Sequence, residues 1–302
     1  MKFTWHYDHQ TPRKLRSALK MSGVTTSLMK VAIYHGGQML INDQPKWAVD
    51  LVKPGDSYSL VLPPELANDQ VDECPAPIQI AYEDRDFLVL NKPAGVATVP
   101  AHHVAVADSL VNRVKYYYHQ QGYENQVTHV ATRLDKDTSG LVIFPKHRFA
   151  HAVIDRQLKK HQVKKNYYAL VSGQLTTAHG YIDAPIQRDP ASFVKREVAV
   201  SGKPSVTEYW LTAASGDQSL VKIRLHTGRT HQIRVHFSFL HHPLVGDAMY
   251  GSPTASPVIN RQALHCYWVQ FYSPFKQKTI TVTAPLPPDF KAAMGDISQL
   301  RS

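Results

Sequence analysis

His129-Val130-Ala131-Thr132-Arg133-Leu134-Asp135-Lys136-Asp137-Thr138-Ser139-Gly140 runs on into Leu141-Val142-Ile143-Phe144, a polar and charged loop feeding an apolar run. Lys136, Asp137, Ser139 and Gly140 are turn-formers, and Leu141 to Phe144 fit a buried strand. Asp135 stands between Arg133 and Lys136, and nearby positive charge favours an ionised carboxylate. A carboxylate held this way can act as a nucleophile or stabilise a developing cation. The same residues also read as a surface turn with locally paired charges, and on their own they leave both readings open.

Around this stretch, 302 residues are enough for one large domain and a small one. A mean hydropathy of -0.30 with 43% hydrophobic residues is that of a globular chain. Lys+Arg 34 against Asp+Glu 24 gives a net charge of +10, which favours a polyanionic partner, nucleic acid first. A merely basic soluble enzyme is the competing reading. Cys74 and Cys266 lack Cys-x-x-Cys spacing and give neither a disulfide framework nor a zinc site. The start, Met1 to His6, has no apolar signal core and no run approaches membrane-spanning length, so the expectation is a soluble, cytoplasmic protein.

Upstream, Pro12 to Met21 has a basic helical pattern with Leu15 and Leu19 on one face, and Ser27 to Tyr34 forms a second helix stopped by Gly36-Gly37. Gln38 to Asn42 and Asp56 to Leu62 read as strands. Pro63 to Pro77 is acidic and proline-rich, as a linker is. The expected division is a small domain over 1–70, a linker over 71–77 and a large domain over 78–302. Phe87 to Leu90 is a strand ending in the turn Asn91 to Gly95, and Asp108 to His119 is a helix.

Downstream, Arg148 to His161 is helical, with Lys159, Lys160, Lys164 and Lys165 crowding its end, where they suit either the helix dipole or phosphates. Lys165 to Val171 is a strand, so Tyr167 and Tyr168 point to opposite faces. Val194 to Val200 and Ser205 to Ala213 read as an antiparallel pair, and Leu220 to Leu225 as another strand. A helix follows, with Thr230 as its N-cap and Ile233, Phe237 and Leu240 on one face, which puts Arg229 at an anion-attracting N-terminus. His226, His231 and His236 are five apart, a spacing that scatters them rather than converging them on a metal.

Arg133-Leu134-Asp135-x-Asp137-Thr138-Ser139-Gly140 resembles the signature of the RluA-type pseudouridine synthases, which isomerise uridine in RNA. Lys165-x-Tyr167 and Gly228-Arg229-x-His231-Gln232-x-Arg234-x-His236 are similar to later segments of that family, and so are His242 to Asp247 with Tyr250-Gly251, Arg261 to His265 and Ala284 to Phe290. The agreement runs in the family's order from about Ile78 to Phe290. It implies an α+β fold with a mixed, mainly antiparallel sheet and flanking helices. The two basic helices, Gly-rich turn and small sheet before it resemble the α-L RNA-binding domain, although that motif's Ser-Arg pair is absent.

The resemblance implies that Asp135 is catalytic, that Tyr167 stacks on the base or exchanges a proton, and that Arg234 is the basic partner of the carboxylate. Arg133 then fills the space left by a flipped base or holds a phosphate, and Arg229 contacts phosphate or base. Lys92, Thr138, His231 and Gln232 fall on the substrate side. The implied reaction moves a uracil from N1 to C5 on the same sugar and needs no metal, nucleotide or redox cofactor. The expected partner is RNA, ribosomal RNA ahead of tRNA, with no membrane and a monomeric enzyme. Two rivals stand beside it. A non-catalytic RNA-binding protein is one. The other is a magnesium-dependent phosphatase with Asp135-Lys136-Asp137-Thr138 as its Asp-x-Asp-Thr, but such enzymes place that motif directly after an apolar strand, and Val130 to Leu134 is too polar.

Overall fold

A computed structural model describes residues 1–67, 71–100, 108–251 and 258–295. The N-terminal unit opens with β1 (Lys2–His6), followed by β2 (Arg13–Lys14), α1 (Leu15–Met21), α2 (Thr26–Tyr34), β3 (Gln38–Ile41), β4 (Gln44–Pro45), β5 (Leu51–Val52) and β6 (Ser57–Val61). Leu15, Leu19, Leu28 and Ala32 are buried, as the helical spacing predicts, while Arg13, Lys14, Arg16 and Lys20 are exposed. β1 lies outside the expected elements. Its signal is the alternation Phe3, Trp5, Tyr7, and it pairs with β6 in a four-stranded sheet of order β1-β6-β3-β4.

This unit does not hang from a free tether. Phe3 meets Phe149 edge-on at 5.0 Å and lies 5.7 Å from Phe275, Trp5 also reaches Phe149, and Arg156 donates to the Gly23 carbonyl at 2.8 Å. One continuous apolar core therefore crosses the expected domain boundary. The described parts of the proline-rich segment are packed as well. Glu65 is buried, accepting from His129 Nε2 at 2.8 Å and from the Arg148 backbone at 2.6 Å, and the Cys74 N–H donates to the Asn112 carbonyl. A buried carboxylate that finds such partners fixes the chain that carries it, so acidity and proline here mark a strap.

The large unit comprises β7 (Ile80–Glu83), β8 (Phe87–Lys92), α3 (Leu110–Gln120), β9 (Ser139–Pro145), α4 (Arg148–Lys159), β10 (Lys164–Ser172), β11 (His179–Asp183), β12 (Ile186–Arg188), β13 (Arg196–Val198), β14 (Val206–Ser215), β15 (Gln218–Leu225), α5 (Gln232–Phe239), β16 (Leu264–Ser273), β17 (Lys278–Thr283) and α6 (Pro288–Met294). Nine strands form one sheet of order β11-β14-β15-β10-β16-β9-β8-β7, with β17 also on β16. All its pairings are antiparallel except β16 with β9. The fold is thus α+β with a mixed, mainly antiparallel sheet.

β9 is buried throughout because both of its faces are covered. Leu141 and Ile143 enter the main core with α4, while Val142 and Phe144 pack under α3. At its start, Gly140 has φ +115, and a Cβ there would sit 2.3 Å from the Cys266 carbonyl oxygen. Only glycine permits the close parallel contact that brings the loop of Asp135 against β16. The expected hairpin of Val194–Val200 with Ser205–Ala213 does not form. β13 pairs with β12, and β14 lies between β11 and β15, because its alternating residues, Thr207 and Tyr209, are buried against the main core.

Candidate active site

The Asp135 loop is held by backbone contacts on every side. The Ala131 N–H donates to the Ile143 carbonyl and the Ile143 N–H to Thr132 Oγ1, which lays the approach beside β9. Thr98 Oγ1 takes the Leu134 N–H and donates to the Leu134 carbonyl, and the Thr138 N–H closes a turn on the Asp135 carbonyl. Lys92 Nζ donates to the carbonyl of Lys136, and Arg261 to that of Asp137. The side chain of Asp135, 29% exposed, is left at the wall of an open cavity.

Its ion partners are not its sequence neighbours. Arg234, 99 residues further on in α5, places Nη1 3.2 Å from Asp135 Oδ2. Arg234 is itself gripped by Asp247, which accepts from Nε at 2.7 Å and from Nη2 at 2.9 Å. Asp247 is buried, and its Oδ1 also accepts the backbone N–H of Met249 and Tyr250. Burial works against the charge on Arg234, but Asp247 outweighs it and Asp135 adds to the effect, so the guanidinium is held above its ordinary value. The Tyr250 ring lies under the guanidinium at 5.0 Å.

The cavity has a volume of about 850 Å³ and, among the described residues, is lined by seven lysines and arginines but a single carboxylate, Asp135. Tyr167 and Lys165, alternate residues of β10, share its wall, whereas Tyr168 stacks on Tyr267. Tyr167 is only 4% exposed. Burial pushes its phenol well above the usual value, with Cys266 and the Asp135 charge adding to the effect, so it is a neutral phenol at physiological pH. Burial likewise raises the Cys266 thiol to about 11, and burial lowers Lys165.

Arg133 and Arg229 line the cavity and are exposed. Arg133 has no hydrogen bond or ion pair among the described residues, while Arg229 rests on the Pro204 carbonyl. His231 lines it too, with Nε2 3.8 Å from Asp135 Oδ2. Of the other residues expected on the substrate side, Thr138 and Gln232 line the cavity and Lys92 does not, and the polar atoms of all three brace the protein itself. Lys92 is fully buried and donates to the carbonyls of Pro93, Val96 and Lys136, so its ammonium is already surrounded. Gln232 spends its oxygen on Thr227 Oγ1 and the Arg229 N–H, and its nitrogen on Val206 and Thr207. Thr138, also buried, takes a bond from Gln262. Thr230 is not the N-cap of α5. His231 occupies that position at φ 57, and Gln232 bends back to satisfy the Arg229 N–H.

His226, His231 and His236 do not converge. They bond Glu208, Tyr250 and the Thr207–Ala184 pair respectively. Among the described residues no helix is long and apolar enough to cross a membrane. Asp247, Tyr250, Arg261 and Thr98 were not foreseen as site residues. Asp247 and Tyr250 lie in the segment that follows the arginine motif, which is the one signal pointing to them.

Comparison with known proteins accords with this geometry. A family model described as RNA pseudouridylate synthase matches residues 86–239. YjbO of Bacillus subtilis (strain 168), named an RNA pseudouridine synthase, is 38% identical over 88% of this chain and 93% of its own length. Ribosomal large subunit pseudouridine synthase D of Vibrio parahaemolyticus is 35% identical over 72% of this chain and 69% of its own. The solved structure of human RNA pseudouridylate synthase domain containing 1 superposes with a TM-score of 0.59 at 26% identity, covering 74% of this chain and 94% of that one.

Proposed function

The chain belongs to the RNA pseudouridylate synthase family, and we propose that this member isomerises a uridine of large-subunit ribosomal RNA with Asp135 as the reacting carboxylate. That it is an RNA pseudouridine synthase follows from the family. The choice of RNA is supported by relatives named for the large ribosomal subunit at about 35% identity. The observation that carries the role of Asp135 is its isolation. Among the described residues it is the one carboxylate on a cationic cavity wall, and Arg234 holds it there.

The reaction breaks the bond from N1 of uracil to the sugar and forms one from C5 to the same carbon. The C5 proton leaves and N1 gains one, so nothing is oxidised and no group is lost. The target base first leaves its stack, at a cost of a few kcal/mol in a helix and less in a loop. Arg133, exposed at the rim, is suited to the vacated space, and Arg229 to a flanking phosphate. Asp135 faces the flipped nucleotide beside Tyr167, whose neutral phenol offers a ring edge and a donor rather than a base. The exposed Arg13, Lys14, Arg16 and Lys20 of the N-terminal unit extend the positive surface to phosphates further along the RNA.

The test is a pseudouridine map of total RNA from cells lacking the gene, complemented with wild type or with Asp135→Asn. At least one large-subunit pseudouridine is expected to vanish on deletion and return only with the wild type. A map unchanged by deletion refutes the reading. A loss confined to tRNA keeps the chemistry and moves the substrate.

A further inference from the structure

His231 lies beside the reacting carboxylate, and its ring is oriented by a chain of donors that the reaction as described above does not use. The Arg196 backbone N–H, at the start of β13, donates to Tyr250 Oη at 2.8 Å. Tyr250 Oη is in turn 2.8 Å from His231 Nδ1. With one lone pair taken by Arg196, the hydroxyl proton of Tyr250 finds its only acceptor, among the described residues, at Nδ1. Were Nδ1 the protonated nitrogen, that hydroxyl proton would have no acceptor among the described residues. The network therefore assigns the imidazole proton to Nε2, the nitrogen that faces Asp135 Oδ2 at 3.8 Å.

Burial lowers the pKa of His231. Arg234 and Arg196 add to that, while Asp135 and Asp247 oppose it, so the ring is neutral at physiological pH and has a single proton to place. Arg234 approaches Asp135 at the same oxygen, Oδ2. Oδ1 has no partner among the described residues. The two oxygens of the carboxylate are thus unequal.

We propose that His231 is a positioning residue of the isomerisation, donating from Nε2 to Oδ2 of Asp135, so that with Arg234 it pins that oxygen and presents Oδ1 to the uridine. The separation of 3.8 Å closes when RNA fills the cavity, as contacts in empty active sites commonly do. His231 also holds a left-handed backbone, φ 57, uncommon outside glycine but one that histidine adopts more readily than most residues. The inference rests on Asp135 being the reacting group.

The experiment compares His231→Asn, His231→Gln and Tyr250→Phe in the full chain, with total RNA from cells lacking the gene as substrate. It reads the single-turnover rate of pseudouridine formation and, separately, RNA affinity. Asn tolerates the left-handed backbone but cannot reach Asp135, while the Gln amide can. His231→Asn is expected to slow the single-turnover step roughly tenfold, the worth of one hydrogen bond to a charged group, with affinity within about twofold of wild type. His231→Gln recovers most of that rate. Tyr250→Phe keeps the ring under Arg234 but frees the tautomer, and falls about threefold. An unchanged rate in His231→Asn overturns the proposal, as does a Gln variant no better than Asn, or a rate loss matched by lost affinity. No product from the wild type would sink the functional reading and this inference with it.

Discussion

Asp247→Asn separates what holds the site from what reacts in it. The side chains of Asp247 and Arg234 are 0% and 7% exposed, a buried pair joined by two hydrogen bonds. Stripping the charge from one member of such a pair costs about 3–5 kcal/mol, because the other charge stays buried. Asparagine keeps an oxygen at the Oδ1 position, where Arg234 Nη2 and the N–H groups of Met249 and Tyr250 converge. What is lost is the 2.7 Å bond to Nε, where an amide NH₂ now meets a donor. Asp135 remains as counter-ion, so the loss should fall at the lower end, about 3 kcal/mol. Urea unfolding at pH 7 reads this as a shift in midpoint at constant slope. The rate of pseudouridine formation should fall about tenfold and not vanish, since Arg234 still reaches Asp135 with less restraint. Asp135→Asn should do the reverse. At 29% exposure, with Arg234 still gripped by Asp247, it changes stability by less than about 1 kcal/mol and abolishes product. If Asp247→Asn is as stable as wild type within about 0.5 kcal/mol, or Asp135→Asn is destabilised as much, the division between brace and reacting group is wrong.

Tyr167→Phe should keep more activity than Tyr167→Leu, because the buried phenol stays protonated and the ring is what remains to contact the base; the opposite order in a single-turnover assay would assign the chemistry to the hydroxyl. Lys92 is pushed by burial to about 7, against Asp137 and Asp135, which raise it. Between pH 7 and 10.5 the unfolded lysine binds a proton that the buried one has lost, so this group's contribution to stability rises with pH across that window and is fully lost below it. Lys92→Met should flatten that slope in urea unfolding while costing about 2–3 kcal/mol through the carbonyls of Pro93, Val96 and Lys136, and an unchanged slope refutes the assignment. Glu65 is lowered on balance. Burial raises it, but His129 and the Arg148 backbone outweigh that. It therefore contributes stability above its ordinary 4.5 that disappears as pH falls through its folded value, and Glu65→Gln should lose the difference from wild type as acid is added.

The motif stretches pointed to Asp135, Tyr167 and Arg234 through their resemblance to the family, and the structure brings the three to one cavity from the loop before β9, from β10 and from the first turn of α5. Period-2 alternation put Tyr167 and Tyr168 on opposite faces, and the resemblance of Lys165-x-Tyr167 to the family's segment chose Tyr167 as the one on the cavity side, where it lies. The partners of Asp135 were not legible. Arg133 and Lys136 flank it in sequence and line the same cavity, yet neither pairs with its carboxylate, which meets Arg234 and His231 instead. Nor does residue type distinguish a substrate contact from a brace. Gln232 and Lys92 look like ligand-binding groups until their donors and acceptors are counted and found to be spent on backbone and on Thr207 and Thr227. The pairing of β1 with β6 depends on a distant partner that no local pattern names, and β13 takes β12 rather than the expected β14 because β14 is claimed by β11 and β15.

If the cavity takes RNA as proposed, its single carboxylate among the described residues faces a competition. Every phosphate that enters is a rival to Asp135 for the guanidinium of Arg234, and arginine binds phosphate well. Most of the cations on the wall, Arg133 and Lys136 among them, lie where phosphate can take them. Arg234 does not. Asp247 occupies two of its nitrogens from the buried side, with Nη1 turned to Asp135. To capture Arg234, a phosphate would have to break a buried, two-toothed pair, against a gain that is one exposed contact. The depth of Asp247 thus lets one chain keep a strongly cationic cleft for a polyanion and, inside it, a carboxylate whose partner the polyanion cannot remove. On this argument Asp247→Asn should make the reaction more sensitive to added inorganic phosphate than the wild type is, at equal ionic strength. Equal inhibition of the two would mean that Arg234 was never protected.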